Sequence, residues 1–418
     1  MSDRILAIDF GTSNSAAAVL MEGALRRLPI EVGSETLPTA VFFDADTGAM
    51  RIGEAAAAAL IEGEDGRYMR ALKSVLGTAL FHEKRLIGGK RRTLAEIVTA
   101  FIVAVKQRAE AQLGGEVCRV LSGRPVHFHS SDPERDAQAE ADLRGCYEAA
   151  GFTEVGFMFE PEAAARASLG RERRGELGLI VDIGGGTSDF TVFRAEADRL
   201  EVLASHGIRL GGTDFDREVS LLHAMPLLGH GGQLKREMGA GVLPMPVSIF
   251  VDLATWAKIP FLYAPDVRRS VAQMQRSAVE PRPLARLASV LEDELGHELA
   301  FAVERGKIAA NGRGAGIAAI NMTMIERALS AEISPASLAL ALSKPREMLA
   351  QAARETLDMA GVQAEQITAV ILVGGSSLMT MVGEVARDLC PDARIEMSDA
   401  FTAVVDGLAL ATGDAARR

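Results

Sequence analysis

Two stretches of the chain share one rhythm of apolar and polar positions. Residues 5–20 read ILAIDFGTSNSAAAVL, and residues 179–193 read LIVDIGGGTSDFTVF. In each, an apolar run ends in Asp, turns through Gly and Thr/Ser, and returns as a second apolar run. Short apolar runs bounded by turn residues read as buried strands, so each stretch predicts a hairpin. Asp9 aligns with Asp182, and Thr12-Ser13 with Thr187-Ser188. Elsewhere the period becomes helical. Thr93 and Glu96 form a capping box, and Leu94, Ile97, Val98, Phe101, Ile102 and Val105 then repeat at helical spacing up to Gly114. Asp132-Pro133 opens a second helix that closes near Gly151. Further strands are expected at 117–121 and 370–373. Strands alternating with helices predict α/β layers, with a meander hairpin after each repeated turn. Residues 221–283 differ. Pro226, Pro244, Pro246, Pro260, Pro265, Pro281 and Pro283 crowd there with several glycines, which reads as a smaller, loop-rich insertion.

The repeated turn suits phosphate. A phosphate chain needs many donors close by, and backbone N–H groups supply them only where no side chain blocks the approach, which favours Gly. Successive N–H groups in such a turn form an anion-binding nest. Thr and Ser add hydroxyl donors. An Asp at each strand end would repel phosphate, but it makes sense beside Mg²⁺, which keeps most of its waters and takes few protein carboxylates. Two copies predict two similar lobes facing each other across a nucleotide. A third loop follows at Gly374-Gly375-Ser376, between an apolar run and a helix. Two glycines at a strand-to-helix turn let a flat ligand lie on the backbone, which fits an adenosine site. The chain has no GxxxxGK[ST] and no dinucleotide fingerprint. His127 and His129 flank Phe128, but no carboxylate or thiol is spaced to complete a metal site, so they read as strand-end or loop-surface residues.

Composition narrows the class. The 418 residues are 48% hydrophobic and 24% charged, ordinary for a globular protein able to hold two domains. A formal charge of −11 argues against general binding to nucleic acid or anionic membrane. Cys118, Cys146 and Cys390 are scattered, which fits free thiols in a reducing compartment. No apolar run is long enough to span a bilayer, and the chain begins without a signal-peptide pattern, so a cytoplasmic location is expected.

Taken in order, IDFGTSNS, KSVLG, EPEAAARA, VDIGGGTSD, LGGTDFD, ERGKIA and LVGGSS resemble the ATPase domain of the seventy-kilodalton heat-shock chaperones (Hsp70, DnaK-like), within the actin and sugar-kinase superfamily. LSGRPVHF and MPLLGHGG also resemble the YegD-type members, which consist of the ATPase domain alone. The resemblance implies a duplicated actin-like (ribonuclease H-like) fold of two lobes around a nucleotide cleft. Lobe I would be 1–176, with an insertion at about 35–92, completed by 402–418. Lobe II would be 177–401, with an insertion at about 221–299. Neither an interdomain linker nor a peptide-binding β-sandwich is expected after DGLALATG.

The resemblance also assigns roles. Gly11, Thr12, Ser13 and Asn14 resemble the first phosphate loop, and Gly184, Gly185, Gly186 and Thr187 the second. Asp9 and Asp182 look like the carboxylates that hold hydrated Mg²⁺. Lys73 is implied as the catalytic lysine, with Thr187 beside it. Glu160, implied near the attacking water, precedes Pro161 and so falls at a helix N-terminus, where Glu is not a favoured cap. Gly211 and Gly212 resemble the cleft floor, and they also read as a helix-opening turn. Glu304 and Lys307 match the pair that brackets ribose and adenine, while their spacing alone reads as an exposed helical ion pair. Gly374, Gly375 and Ser376 complete the nucleotide set. Two positions depart from the pattern: Leu378 stands where the family has an adenine-stacking Arg, and Asn311 replaces a serine near the adenosine lysine.

The implied function is Mg²⁺-dependent ATP binding and slow ATP hydrolysis driving a conformational switch of chaperone type. The expected ligands are ATP or ADP with Mg²⁺. Any partner would be a client or co-chaperone, with neither nucleic acid nor membrane. Two other readings stand beside it: a bacterial actin-like filament protein, and a small-molecule kinase.

Overall fold

A computed structural model describes residues 4–129, 132–168, 175–196, 200–236, 239–312, 316–397 and 402–415. The chain forms two compact units. The first comprises Met1–Arg209, Ala350–Leu378 and Gly383–Arg418, and the second Leu210–Leu349 with Met379–Val382.

The first unit holds two sheets of one design. Strands β1 (Ile5–Phe10), β2 (Asn14–Met21), β3 (Ala24–Leu28), β4 (Arg119–Arg124) and β5 (Glu154–Phe159) lie in the order β5-β4-β1-β2-β3. Strands β6 (Leu177–Ile183), β7 (Ser188–Ala195), β8 (Leu200–Ile208), β9 (Ala369–Val373) and β10 (Arg394–Met397) lie in the order β10-β9-β6-β7-β8. In each sheet an antiparallel three-strand meander continues into two parallel strands. Parallel partners need a crossover and cannot follow from a tight turn. The sequence therefore places helices between them.

Register corrects the sequence alignment of the two turns. Asp9 faces Ala16 and Asp182 faces Asp189, while Phe10 faces Ser15 and Ile183 faces Ser188. Ser15 thus occupies the place of Ser188, and Asn14 that of Thr187. Thr12-Ser13 correspond to Gly185-Gly186. Matching the Thr-Ser letters slides the comparison by two residues, whereas the ladders keep both turns the same length.

Alternation along β1 feeds two cores. Leu6, Ile8 and Phe10 join a cluster with Ile97, Phe101 and Tyr147. Ala7 faces the other way, into a cluster with Ala16, Ala163, Ala164, Ile180, Ile371 and Leu408. Helices Glu160–Ser168 and Ala403–Ala415 supply this second core. Its small side chains allow close approach, and a Cβ on Gly407 would run into the carbonyl oxygen of Ala163. Helix Leu94–Leu113 begins as its capping box predicts. Thr93 Oγ1 accepts from Glu96 N at 3.1 Å, Thr93 N donates to Glu96 Oε2 at 2.9 Å, and Gly114 closes the helix at φ 66°. Helix Pro133–Ala149 is capped by Asp132, whose Oδ1 accepts from Arg135 N at 3.0 Å. The strand expected at 117–121 instead runs Arg119–Arg124.

The loop-rich reading of 221–283 is wrong. That stretch of the second unit carries helices Ser248–Leu253, Pro265–Ser277 and Pro281–Glu292, a 3-10 segment Trp256–Tyr263, and the two-stranded ribbon Gln233–Lys235 with Val242–Pro244. Pro265 and Pro281 open helices, at the position where a missing N–H costs nothing. Among the described residues, no helix is long and apolar enough to cross a membrane.

Candidate functional site

Within the first unit, the ends of β1 and β6 carry Asp9 and Asp182, each half-buried. Asp189, the second residue of β7, lies directly opposite Asp182. Lys73 lies in a 3-10 turn, Leu72–Val75, and is only 8% exposed. Its Nζ pairs with Oε1 of Glu160, the first residue of helix Glu160–Ser168. That start puts Glu160 at the helix N-terminus, as its place before Pro161 predicts. Gly123 on β4 makes room for it, since a Cβ there would sit 3.1 Å from Glu160 Cγ. Glu160, Pro161, Asp182, Asp189, Pro125 and Thr191 line a small cavity.

These groups charge one another. Burial first, then Glu160 and Asp182, push the Asp9 carboxyl up, Lys73 opposes them, and the balance leaves it at about 8. Asp182 rises to about 7 for the same reasons, burial first and Glu160 second. Asp189 rises to about 8 through burial, Asp182 and Glu160. For Lys73 burial favours the neutral amine, but Glu160, Asp9 and Asp182 together outweigh it and raise its affinity for the proton. The lysine therefore stays charged at neutral pH, while burial keeps protons on much of the Asp9 and Asp189 population there.

The glycine turns converge on the same place. A Cβ on Gly185 would strike Ser13 Oγ, so the two hairpin turns touch. Gly184 N donates to Thr187 O at 2.9 Å and closes the second turn. In the first turn a Cβ on Gly11 would strike the Asn14 carbonyl, so the path admits only glycine. The third loop joins them. Gly374 has φ +83°, and a Cβ there would lie 2.7 Å from Asp182 Oδ1 and 2.5 Å from Ile183 O. Gly375 and Ser376 lie in the following 3-10 turn, Gly375–Leu378. Leu378 is 41% exposed.

The remaining predicted residues lie in the second unit. Gly211 and Gly212 are buried at the start of helix Gly212–Val219, where Gly211 N donates to Asp214 Oδ2 at 3.1 Å. The helix-opening reading thus holds. Glu304 and Lys307 lie on helix Gly296–Ala310. Lys307 is 5% exposed and pairs with Asp216 Oδ1 at 2.8 Å, so it is no surface lysine. Asp189 is the residue that sequence reasoning missed. Its signal was the closing Asp of DIGGGTSD, masked because the first hairpin has Ala16 at that place.

Among the described residues, no three His, Cys, Asp or Glu side chains converge closely enough to ligate an ion directly. His129 Nε2 donates to Leu76 O at 2.8 Å.

The family model described as Hsp70 protein matches residues 5–225. Chaperone protein DnaK of Thermosipho melanesiensis is 33% identical over 218 residues, which make up 51% of this chain and 35% of that protein. Chaperone protein DnaK of Methanothermobacter thermautotrophicus is 34% identical over 223 residues, 52% of this chain and 35% of that protein. Chaperone protein DnaK of Thermotoga maritima is 33% identical over 218 residues, with shares of 51% and 35%. The chain thus spans about a third of the length of the curated relatives it matches. The family match runs through both glycine hairpins, Lys73 and Glu160, and it covers more than half of the sequence. The chain therefore belongs to the Hsp70 family, and its α/β fold is the actin-like ATPase fold.

Proposed function

We propose that the chain binds ATP with Mg²⁺ and slowly hydrolyses the γ-phosphate, using that cycle as a conformational switch of chaperone type. The observation that supports it is the convergence of the Lys73–Glu160 pair with Asp9, Asp182 and Asp189 beside two touching glycine turns. LSGRPVHF and MPLLGHGG support a YegD-type member. The proposed lobes are 1–176 with 402–418, and 177–401.

The carboxylates fit a hydrated Mg²⁺. They raise one another's proton affinity yet do not approach closely enough for direct ligation. An ion that keeps its waters and takes few protein ligands suits such a set. Asp9 and Asp182, with Asp189, are the residues proposed to hold it. Bound Mg²⁺ would supply positive charge to the phosphates.

The chain's own groups do the rest. The turns Gly11–Asn14 and Gly184–Thr187 cradle phosphate oxygens with backbone N–H groups and the Thr12, Ser13 and Thr187 hydroxyls. The Lys73 ammonium offsets charge that develops on the transferring phosphoryl group. Glu160 orients the water whose oxygen bonds to phosphorus as the bridging P–O bond breaks and ADP leaves. Positioning and electrostatics suffice for this chemistry without a covalent nucleophile. Gly374, Gly375 and Ser376 are the proposed nucleoside contacts of the first unit; for Gly211, Gly212, Glu304 and Lys307 a nucleotide role is proposed on the sequence resemblance alone.

The test is Lys73→Ala. Many backbone donors remain, so ATP binding should persist, while turnover falls by about 10²–10³, the scale of losing one preorganised charge partner. Equal turnover in variant and parent defeats the proposal.

A further inference from the structure

A catalytic ammonium must reach a fixed point, yet the segment carrying Lys73 belongs to no sheet. It is one 3-10 turn, reached through Ala71 in a left-handed backbone at φ 57°. Its flexible stem adds freedom. What fixes it comes from elsewhere in the first unit. Asp142, on helix Pro133–Ala149, has a side chain only 2% exposed. Its Oδ2 accepts from Gly77 N at 2.9 Å, and its Oδ1 from His82 Nε2 at 2.9 Å and Gln138 Nε2 at 2.7 Å. A buried carboxylate is costly unless donors surround it, and here three do. One residue earlier, the Leu76 carbonyl accepts from His129 Nε2 at 2.8 Å. Gly77 itself has φ +71°. A Cβ there would collide with Arg135 O and lie 3.0 Å from Ala139 Cβ. The turn is thus seated against the helix with no clearance. The Leu76 N–H in turn donates to Lys73 O at 3.3 Å, so the clamped residues are bonded to the lysine's own backbone.

We propose that Asp142 and His129 are positioning residues for Lys73, clamping the Leu76-Gly77 peptide so that the lysine turn is held where Glu160 and the aspartates meet it. The proposal rests on the ATPase reading above. A misplacement of about 1 Å can cost on the order of a hundredfold in rate. Asp142→Ala should therefore lower kcat roughly ten- to hundredfold while KM for ATP stays within about threefold, the pattern of a lost transition-state interaction. Asp142→Asn keeps an acceptor for Gly77 N–H and should recover most of the rate. His129→Ala should lower kcat several-fold in the same pattern.

The deciding measurement is a double-mutant cycle with Lys73→Ala, on the full chain with ATP and Mg²⁺. If Asp142 acts through Lys73, adding Asp142→Ala to Lys73→Ala costs little further rate. An equal fold-loss in both backgrounds, or a raised KM with parent kcat, overturns the positioning role alone. Parent turnover in Lys73→Ala instead overturns the ATPase reading, and this role with it. Should Asp142→Ala fail to fold, His129→Ala decides. Parent kcat in it overturns the clamp. A lower kcat in His129→Ala at unchanged KM, absent in the Lys73→Ala background, upholds it.

Discussion

Asp189 shows what a single side chain can report. Its carboxyl sits at about 8 in the folded protein, against 3.8 for an ordinary aspartate, and Asp9 and Asp182 are raised beside it. A raised folded value means that the folded state holds protons the unfolded chain has already released. Stability from these groups therefore falls as pH rises from 3.8 towards about 8, and it is lowest above that range. The nucleotide-free protein should melt progressively lower between about pH 5 and about pH 8. Asp189→Asn should flatten that slope, as should Mg²⁺ with ADP. Parallel melting curves for parent and variant across the series would refute the link. Asp9→Ala and Asp182→Ala should each weaken the Mg²⁺-dependent part of the nucleotide thermal shift, because ligand-linked stability falls with differential affinity. If both variants keep the full shift, the carboxylates merely end strands. Gly374→Ala should destabilise the fold by at least about 1–2 kcal/mol, from its left-handed backbone alone. Asp9, Asp182, Lys73 and Glu160 could be picked out as candidates because each stands in a motif of distinctive spacing. The burial of Lys307 against Asp216 was not legible, since nothing in local sequence says which helices touch.

At the scale of elements, end signals were more informative than interiors. The Thr93 capping box and the Asp132 cap fixed two helix starts from a few letters. Thr93→Ala should cost about 1 kcal/mol, readable as a lower melting temperature. The proline-rich insertion misled because the same residue breaks a helix in its middle and opens one at its first turn. Pro265 and Pro281 do the latter. Strand ends shifted for a different reason. The ladder of β4 depends on pairing with β1 and β5 across long stretches of chain, and no local pattern encodes that reach. Packing between helices Glu160–Ser168 and Ala403–Ala415 turns on Gly407. Gly407→Ala drives a methyl group into the Ala163 backbone, and it should cost on the order of 3 kcal/mol or more, the upper range for overpacking. Melting within about a degree of the parent would show that the helices can simply slide apart.

For the whole molecule, the duplication was readable from two hairpins, and the sheets extend it to matching strand order. Its exact register was not readable, because glycines in one turn stand where hydroxyls stand in the other. Leu378 raises a matching question of specificity. A stacking arginine there would add about 0.5–2 kcal/mol of cation–π and stacking contact with a purine. Leu378→Arg should accordingly tighten ATP binding about two- to tenfold, measured by calorimetric titration with ATP and GTP. No change in either affinity would place base recognition elsewhere. The second core carries a consequence of another kind. Ala7, Ala16 and Ala18, from the first hairpin, are buried against Ala403, Leu408 and Ala409. At a translation rate of about 5–20 residues per second, that hairpin leaves the ribosome roughly 20–80 seconds before the helix that covers it exists. Until then one apolar face of the nascent sheet stands open to solvent, so the last helix of this unit must arrive before its first hairpin is fully covered.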